Sequence, residues 1–246
     1  PTDRRGGIPA EIAQLIRDIE AYPDLRISPA NLQERGLTPE RVRRWFHEHE
    51  GMTFTAWCRA RRLGHAYRAL QQGAHVDDVA LGSGFESHSG FREAFGQTFG
   101  HPPGQTSASA PCPLTVTLVE SPIGPLLAGA TDEGLALLEF ADRGLPAARL
   151  EALRETFQVA ILPGRHPHLT TLTAELDDYF AGRRQSFSTP VIPRGTPFQC
   201  RVWTELSRIP FGATVSYVDL ARNVGRPTAS RAVARANGQN PIVILI

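Results

Sequence analysis

Apolar residues recur three and four positions apart through the first hundred residues, which is the spacing of one face of an α-helix. Thr38-Pro39-Glu40 is a helix-start signal, with a capping hydroxyl, proline at the first helical position and an early acid. Gly51 and Gly100 are predicted to end helices. The apolar positions of the predicted helices are Ile8, Ile12, Leu15, Ile16 and Ile19, then Val42, Trp45, Phe46 and His49, then Val76, Val79, Ala80, Phe91, Phe95 and Phe99. We predict an all-α first half with its aromatic side chains in the core.

The pattern changes after residue 113 and predicts β-structure. Residues 114–119 alternate like a strand, and apolar segments at 123–130 and 135–140 follow, each bounded by Gly, Pro or Asp. An antiparallel meander is therefore expected, followed by helices at about 145–157 and 168–182. The second of these helices has an apolar stripe made of Leu172, Leu176, Tyr179 and Phe180.

The last fifty residues predict three helices and a strand. Ser216 is expected to cap one helix, Gly225-Arg226-Pro227 to turn the chain, and Thr228 to cap a second helix that runs to Arg235. This is the spacing of a helix-turn-helix. A final apolar run at 242–246 predicts a strand. The helix before Ser216 has on one face Phe198, Val202, Trp203, Leu206 and Ile209.

Composition excludes several classes of protein. The chain has 246 residues, 41% hydrophobic and 21% charged, enough for one or two domains with substantial cores. No apolar run approaches the roughly 18 residues of a membrane span, so no membrane partner is expected, and no signal-peptide pattern is recognisable. Cys58, Cys112 and Cys200 lie far apart, which argues against a disulfide scaffold or a CxxC zinc module and fits a reducing cytoplasm.

All 26 basic residues are arginine, and they are unevenly distributed. Residues 35–68 hold eight arginines against three glutamates, and residues 190–246 hold seven arginines against two acids. An Arg-rich helix is often only a solvated face, but two such segments on candidate helix-turn-helix units indicate DNA-binding surfaces. Arg41, Arg43 and Arg44 lie off the apolar stripe of their helix, where they would contact phosphates or guanine edges.

Residues 101–113, HPPGQTSASAPCP, are rich in proline, serine, alanine and glycine, a composition typical of a linker without regular structure. A domain boundary is therefore expected there. His166 and His168 lie in another proline-rich loop, and surface positions are expected for them rather than a metal site. The sequence predicts no metal and no cofactor.

The segments GMTFTAWCRARRLGHA (51–66) and VALGSGFESHSGFREAFGQTFGHPP (79–103) resemble the AraC-type DNA-binding domain, which has two helix-turn-helix units joined by a long helix. The matching residues of the second unit are Ala80, Gly84, Phe85, Ser87, Ser89, Phe91, Phe95, Gly100 and Pro103. The first unit departs from the family around Asn31-Leu32, where the usual Leu-Ala pair is absent or shifted by one residue. The resemblance covers about residues 25–105 and implies DNA binding and transcriptional regulation.

From Arg194 the sequence resembles the O6-alkylguanine-DNA alkyltransferases, in the form of Ada-type proteins, where an AraC-type domain precedes them. The matching residues include Gly195, Thr196, Phe198, Gln199, Val202, Trp203, Leu206, Ile209, Pro210, Gly212, Thr214, Val215, Ser216, Tyr217, Leu220, Ala221, Arg231, Ala232, Val233, Asn240 and Pro241. The implied fold is multidomain. It has an all-α double helix-turn-helix domain at 1–103, a linker at 104–113, an α+β subdomain with an antiparallel, ribonuclease-H-like sheet at 114–190, and a winged-helix-like catalytic subdomain at 191–246, truncated at its carboxyl end.

The resemblance implies roles for several side chains of the last subdomain. Arg231 would enter the duplex through the minor groove and hold the space of a flipped guanine. Tyr217 would press on the phosphate of the flipped nucleotide and assist proton delivery, with packing in a partly buried position as its alternative role. Asn240 would brace the turn before the nucleophile. The predicted DNA contacts are Tyr217, Thr228, Arg231, Arg235, Arg41, Arg43 and Arg44.

The nucleophile of the family is a cysteine in a Pro-Cys-His-Arg motif, which the histidine activates through water together with a more distant glutamate. The resemblance places this cysteine two residues after Ile246, so the chain as given is expected to be inactive by itself. The cysteines at 58, 112 and 200 are expected to be structural. The family's amino-terminal zinc domain is not recognisable in these residues, and both ends of the sequence are expected to be cut.

Three functions are compatible with these observations. Irreversible transfer of the alkyl group from O6-alkylguanine in DNA to a protein cysteine, combined with transcriptional regulation, is favoured. A non-enzymatic alkyltransferase-like protein that binds lesions is one alternative, and a pure AraC-type regulator is another. The expected protein is a cytoplasmic monomer whose partner is double-stranded DNA.

Overall fold

The computed structural model describes residues 9–22, 25–50, 52–141 and 147–246. The chain folds as two compact units, one of Pro1–Pro113 with Arg143–Gly164, the other of Leu114–Asp142 with Arg165–Ile246. In chain order the elements are α1 (Ala10–Ala21), α2 (Pro29–Glu34), α3 (Pro39–His49), α4 (Phe54–Gln71), α5 (Val76–Gly82), α6 (His88–Phe99), β1 (Leu114–Val119), β2 (Leu126–Thr131), β3 (Gly134–Phe140), α7 (Ala147–Phe157), β4 (Ile161–Pro163), α8 (Pro167–Phe180), α9 (Pro197–Leu206), α10 (Tyr217–Asn223) and α11 (Ser230–Gly238). Ile8, Gly51 and the start of the helix expected at 145 lie outside the described residues.

The helices of the first unit begin where the sequence supplies capping side chains. Thr38 Oγ1 accepts a hydrogen bond from the backbone N of Arg41 at 3.2 Å, at the start of α3. Ser87 Oγ accepts one from the backbone N of Gly90 at 3.1 Å, at the start of α6. That helix ends at Gly100, which has a left-handed φ of 76°. Each cap is worth about 1 kcal/mol, and the predicted helical first half is confirmed.

Aromatic side chains form the two cores of this helical region. Phe46 of α3 and Trp57 of α4 are fully buried, with ring centroids 5.2 Å apart. Phe91 and Phe95 of α6 are also fully buried, with ring centroids 5.6 Å apart. Burying a Phe side chain stabilises the fold by roughly 1.5–3 kcal/mol. The prediction that these aromatic residues form a core is confirmed.

The segment at 101–113 is more ordered than its composition predicts. A 3-10 turn spans Pro103–Gln105. Farther on, the hydroxyl of Tyr67 donates to Pro111 O and the amide of Gln71 donates to Ala110 O, both at 2.8 Å. The expectation of a segment without regular structure is therefore wrong at 103–105. Tyr67 and Gln71 of α4 hold the later part of the segment. The composition of the segment carries no information on these contacts.

The second unit contains a mixed sheet built on an antiparallel meander of β1, β2 and β3. The register places Val116 of β1 opposite Gly129 of β2. Leu138 of β3 makes a single parallel bridge to Ile242. The meander prediction is confirmed, although β2 begins three residues later than expected. The strand predicted at 242–246 is wrong, because this run makes one bridge and then forms a turn.

Helix α8 packs over the sheet through Leu169, Leu172 and Leu176, which join Leu138 and Ile242 in one hydrophobic core. Leu172 and Leu176 belong to the predicted apolar stripe, Phe180 of that stripe packs against the core while partly buried, and Leu169 was not among the predicted residues. The core therefore connects the middle of the sheet to the segment after α11, and it fixes where that segment begins.

Glu175 of α8 is a buried carboxylate, only 3% exposed. It accepts hydrogen bonds from the backbone N and hydroxyl groups of Ser188 and Thr189, at 2.6 to 3.2 Å, and from Arg184 Nη1 at 3.0 Å. Burial raises the pKa of Glu175, but the hydrogen bonds from Ser188 and Thr189 outweigh burial and hold its pKa below the ordinary value. The loop that leads into the last three helices is thereby attached to α8.

Helices α9, α10 and α11 share a small core whose central residues are Val202, Leu220, Ala221, Val233 and Ala236. Ser216 Oγ accepts from the backbone N of Asp219 at 3.1 Å, as predicted for the cap of α10. Gly225 turns the chain with a φ of 73°. The prediction that Thr228 caps the next helix is wrong, because Ala229 is the N-cap residue and α11 begins at Ser230. No helix within the described ranges is long and apolar enough to cross a membrane.

Candidate functional site

Helix α11 presents its arginines to solvent and buries Val233 and Ala236. Val233 and Ala236 are buried in the three-helix core, whereas Arg231 and Arg235, one turn apart, are exposed. Thr228 is exposed in the turn before the helix. The structure thus places three of the seven predicted contact residues on or next to one exposed helix face. Such a face can approach the negatively charged backbone of a nucleic acid.

Tyr217 lies at the start of α10 and is 46% exposed. Its hydroxyl oxygen accepts a hydrogen bond from Asn237 Nδ2 at 3.0 Å. The bond connects the first helix of the motif to the end of the second and fixes the direction of the phenol. Asn237 was not among the residues predicted from sequence, because helical spacing alone does not show which polar residue of α11 faces Tyr217.

Asn240 holds the turn after α11 through both ends of its amide. Its Oδ1 accepts from the backbone N of Ile242 at 2.9 Å, and its Nδ2 donates to Ile246 O at 2.7 Å. The bracing role predicted for Asn240 concerns this turn, and the geometry is suited to it. The carbonyl group of Ile246 has a defined position as a result.

The same turn contains a residue in an unusual backbone conformation. Ile244 has a φ of 74°, a region that β-branched residues rarely occupy. Around it, the backbone N of Val243 donates to Leu138 O at 2.8 Å, and the backbone N of Ile246 donates to Ile242 O at 3.2 Å. Backbone in such a region persists only where its surroundings impose it. Here β3 and the Asn240 amide supply those restraints.

Trp203 of α9 connects this helix to the end of α11. It is almost fully buried, and its Nε1 donates to Ala236 O at 2.8 Å, near the end of α11. Gly195 lies so close to the indole that an added Cβ would be 2.5 Å from its ring carbons. A glycine is therefore required at 195, and the indole fixes the position of α11 relative to α9.

The three free cysteines lie in different surroundings. Burial raises the pKa of Cys58 to about 11. Cys200 Sγ donates to the carbonyls of Pro193 and Gly195, at 3.8 and 3.6 Å. Cys112 lies 4.0 Å from the Gln71 amide.

The arginines predicted on the first unit also lie at the surface. Arg41, Arg43 and Arg44 are exposed on α3, and Arg41 Nη2 lies 3.4 Å from Glu11 Oε2 in an exposed ion pair. They are far apart in sequence from the residues of α11 and belong to the other unit.

The expectation for His166 as a surface residue is wrong. It is 5% exposed and caps α8, with Nδ1 accepting from the backbone N of His168 at 3.2 Å. Its Nε2 lies 3.0 Å from Asp132 Oδ1. Among the described residues, no three His, Cys, Asp or Glu side chains come together as metal ligands would.

Three families match this chain in succession. Residues 32–109 match a helix-turn-helix domain, residues 114–193 the ribonuclease-like domain of 6-O-methylguanine DNA methyltransferase, and residues 197–246 the DNA binding domain of the same enzyme.

Individual relatives agree with these matches. The methylated-DNA–protein-cysteine methyltransferase of Methanosarcina acetivorans is 38% identical over 133 residues, which are 52% of this chain and 77% of the relative. The constitutive enzyme of Bacillus subtilis is 48% identical over 80 residues, 32% of this chain and 48% of the relative. A crystal structure of the Mycobacterium tuberculosis protein in complex with DNA is 34% identical over 54% of this chain and 73% of that one, with a TM-score of 0.43. The chain therefore belongs to the methylated-DNA–protein-cysteine methyltransferase family, with an AraC-type helix-turn-helix domain ahead of the methyltransferase domains.

Proposed function

We propose that this protein repairs O6-alkylguanine in DNA by irreversible transfer of the alkyl group to one of its own cysteines. The observation that carries the proposal is the arrangement of α10 and α11, where exposed Arg231 and Tyr217 share one motif with the turn held by Asn240. The names of the relatives describe the same chemistry. The AraC-type domain adds DNA-binding regulation.

The alkyl carbon on O6 lies inside the base stack, so a protein thiol reaches it only after the base leaves the duplex. Arg231 occupies the position left by the flipped guanine, because a planar cation can both stack and donate hydrogen bonds there. Tyr217 contacts the phosphate of the flipped nucleotide. Arg235, Thr228 and the arginines of α3 contact the backbone of the duplex.

Transfer is a single displacement. The thiolate sulfur attacks the alkyl carbon, the S–C bond forms as the C–O6 bond breaks, and the electron pair left on guanine takes up a proton, with Tyr217 assisting. Guanine is restored, the sulfur remains alkylated, and each molecule reacts once. The resemblance to the O6-alkylguanine-DNA alkyltransferases implies that the acceptor is a cysteine two residues after Ile246.

Single-turnover transfer tests the reaction. A protein that includes the residues after Ile246 is mixed with duplex DNA carrying one labelled O6-methylguanine, and the modified peptide is located by mass spectrometry. We expect one alkyl group on the cysteine after Ile246, both in the wild type and in a variant with serine at positions 58, 112 and 200. DNA binding without any protein-bound alkyl group would mean a lesion-binding protein instead.

The remaining expectations are part of the same proposal. The sheet of the second unit is ribonuclease-H-like and the last three helices are winged-helix-like, with domain limits at 1–103, 104–113, 114–190 and 191–246. The protein acts as a monomer in the cytoplasm, in keeping with its three free cysteines. Footprinting with the first half of the chain tests regulation, because an operator-binding domain protects a preferred site and a non-specific one does not.

A further inference from the structure

The side-chain amide of Gln199, in the first turn of α9, contacts the end of α11. Its Nε2 donates a hydrogen bond to Gln239 Oε1 at 3.0 Å. Gln239 is the C-cap residue of α11 and directly precedes Asn240, whose amide holds the turn that follows. The contact therefore connects the start of one helix to the residue from which that turn departs.

The Gln199 amide has one orientation, because its oxygen is engaged in a helix cap. Oε1 accepts from the backbone N of Thr196 at 2.8 Å and from the Thr196 hydroxyl at 2.9 Å. Thr196 Oγ1 accepts in return from the backbone N of Gln199 at 3.3 Å, which completes a capping box. With its oxygen facing two donors, the amide directs its NH2 group away from them, towards an acceptor on Gln239.

The cap by itself does not require an amide at position 199. Glutamate completes a capping box as well as glutamine does, but a carboxylate has no N–H group to donate. The glutamine therefore performs two tasks with one side chain. Its oxygen caps α9, and its nitrogen holds the end of α11.

A second donor of α9 reaches the same part of α11. Trp203 lies one turn after Gln199, and its Nε1 donates to Ala236 O at 2.8 Å. The indole is almost fully buried, whereas Gln199 is half-buried and Gln239 is exposed. The end of α11 is thus held at two points three residues apart, one in the core and one near the surface. A helix end held at one point can pivot about it, and the second contact removes that freedom.

We propose that Gln199 is a positioning residue for alkyl transfer. Through Gln239 it fixes where α11 ends, and so it fixes the direction in which residues 240–246 continue. Gln199 itself touches neither DNA nor the alkyl group. The inference rests on the proposed repair function, in which this turn leads to the acceptor cysteine. A displacement of about 1 Å at reacting atoms is enough to slow a reaction strongly.

The test uses the full-length protein, with the residues that follow Ile246, and three variants. Gln239→Met removes the acceptor but keeps the length of the side chain and the cap of α9. Gln199→Glu combined with Gln239→Lys keeps the cap and the net charge, and it re-forms the contact as an ion pair. Gln185→Met, at an exposed glutamine of the loop after α8, is the matched control.

Two measurements are made on each variant. The first is the single-turnover rate of alkyl transfer from free O6-benzylguanine, which leaves out any effect on DNA binding. The second is hydrogen exchange at the backbone amides of Ile242 and Ile246, which are hydrogen-bonded within the turn. We expect Gln239→Met to slow transfer about three- to tenfold and to speed exchange at both amides, as for the loss of one hydrogen bond. The ion-pair variant should return both values to within about twofold of wild type, and Gln185→Met should leave them unchanged.

Several results would overturn the proposal: an unchanged rate and unchanged exchange in Gln239→Met, an equal loss in Gln185→Met, or no recovery in the ion-pair variant. Faster exchange throughout α9 as well as in the turn, with a lower urea midpoint, would assign the contact to general stability and also overturn it. A wild type that transfers no alkyl group would instead refute the proposed function. Exchange at Ile242 and Ile246 would then decide by itself whether Gln199 holds the turn.

Discussion

Asn237 of α11 donates a hydrogen bond to the hydroxyl oxygen of Tyr217 at the start of α10, with 3.0 Å between Nδ2 and Oη. Both residues are at the surface of the motif, so the bond fixes an exposed phenol that would otherwise rotate freely. A hydroxyl held in this way has its own proton available for an acceptor in the substrate, because the oxygen lone pair is the group engaged with the amide.

We expect Tyr217→Phe to slow alkyl transfer by about a hundredfold, since positioned proton donors contribute at least that much. Asn237→Ala should slow it by a smaller factor, and adding it to Tyr217→Phe should cause no further loss. Single-turnover rates measure both effects, with Asn223→Ala at the exposed end of α10 as the matched amide control. Additive losses would show that Asn237 acts independently of the hydroxyl.

Arg231→Ala should slow repair of O6-methylguanine in duplex DNA by at least tenfold and leave the reaction with the free base nearly unchanged. Only the duplex reaction requires the base to be flipped and its place to be filled. Arg208→Ala is the charge-matched control. Arg208 follows α9, forms an ion pair with Glu205 of that helix and lies outside the helix-turn-helix of α10 and α11. Equal slowing of both reactions would assign Arg231 a role in folding instead.

Asn240→Asp separates the two functions of the Asn240 amide. Aspartate keeps an oxygen to accept from the backbone N of Ile242 but loses the Nδ2 donor to Ile246 O and, at 3.3 Å, to Ile242 O. We expect the variant to retain slow hydrogen exchange at the Ile242 amide and to lose most of its transfer rate. Asn240→Ala should lose both, with a stability loss of about 1–2 kcal/mol. Full activity in Asn240→Asp would show that the bond to Ile246 O is dispensable.

Glu175→Gln should destabilise the protein by about 2 kcal/mol at neutral pH, since charged hydrogen bonds are replaced by weaker ones. The pKa of Glu175 is lower in the folded state, so its contribution is complete above the unfolded pKa and is lost as the pH falls through the folded pKa. Denaturant unfolding at about pH 7 and pH 3 should therefore show the difference from wild type narrowing in acid. Asp178→Asn, which removes an exposed ion pair with Arg183 from the same helix, should change stability by less than about 1 kcal/mol.

Cys58 should react slowly with iodoacetamide. With a pKa of about 11, only ~0.1% of it is thiolate at pH 8. Peptide mapping after timed labelling should find Cys200 modified before Cys58 in the folded protein, and equal labelling of the two after unfolding in urea. Early modification of Cys58 in the native state would mean that its surroundings open readily.

The parts of this fold that depend on local sequence signals were predicted better than the parts that depend on long-range contacts. The caps at Thr38 and Ser216 were predictable because a capping hydroxyl acts within three residues. The 242–246 run was predicted as a strand because it is apolar, but its conformation depends on Asn240 and on β3. Sequence periodicity does not encode that contact.

The residues of the candidate site also differ in whether the sequence could predict them. Arg231 and Asn240 could be predicted from the resemblance, since they occupy motif positions. Asn237 could not, because its contact with Tyr217 depends on which side chains from two different helices meet. Thr228 was predicted as a cap because it follows a turn, and the helix in fact starts after Ala229.

The positive φ of Ile244 affects how the protein loses activity on heating. A β-branched residue in that conformation is disfavoured by roughly 1–2 kcal/mol, so the turn relaxes as soon as its neighbours release it. Its neighbours are Leu138 of β3 and the amide at 240. We therefore expect fraying of β3 to inactivate the protein at a temperature below that of global unfolding. Alkyl-transfer activity should then be lost on heating before the helical circular dichroism signal is lost.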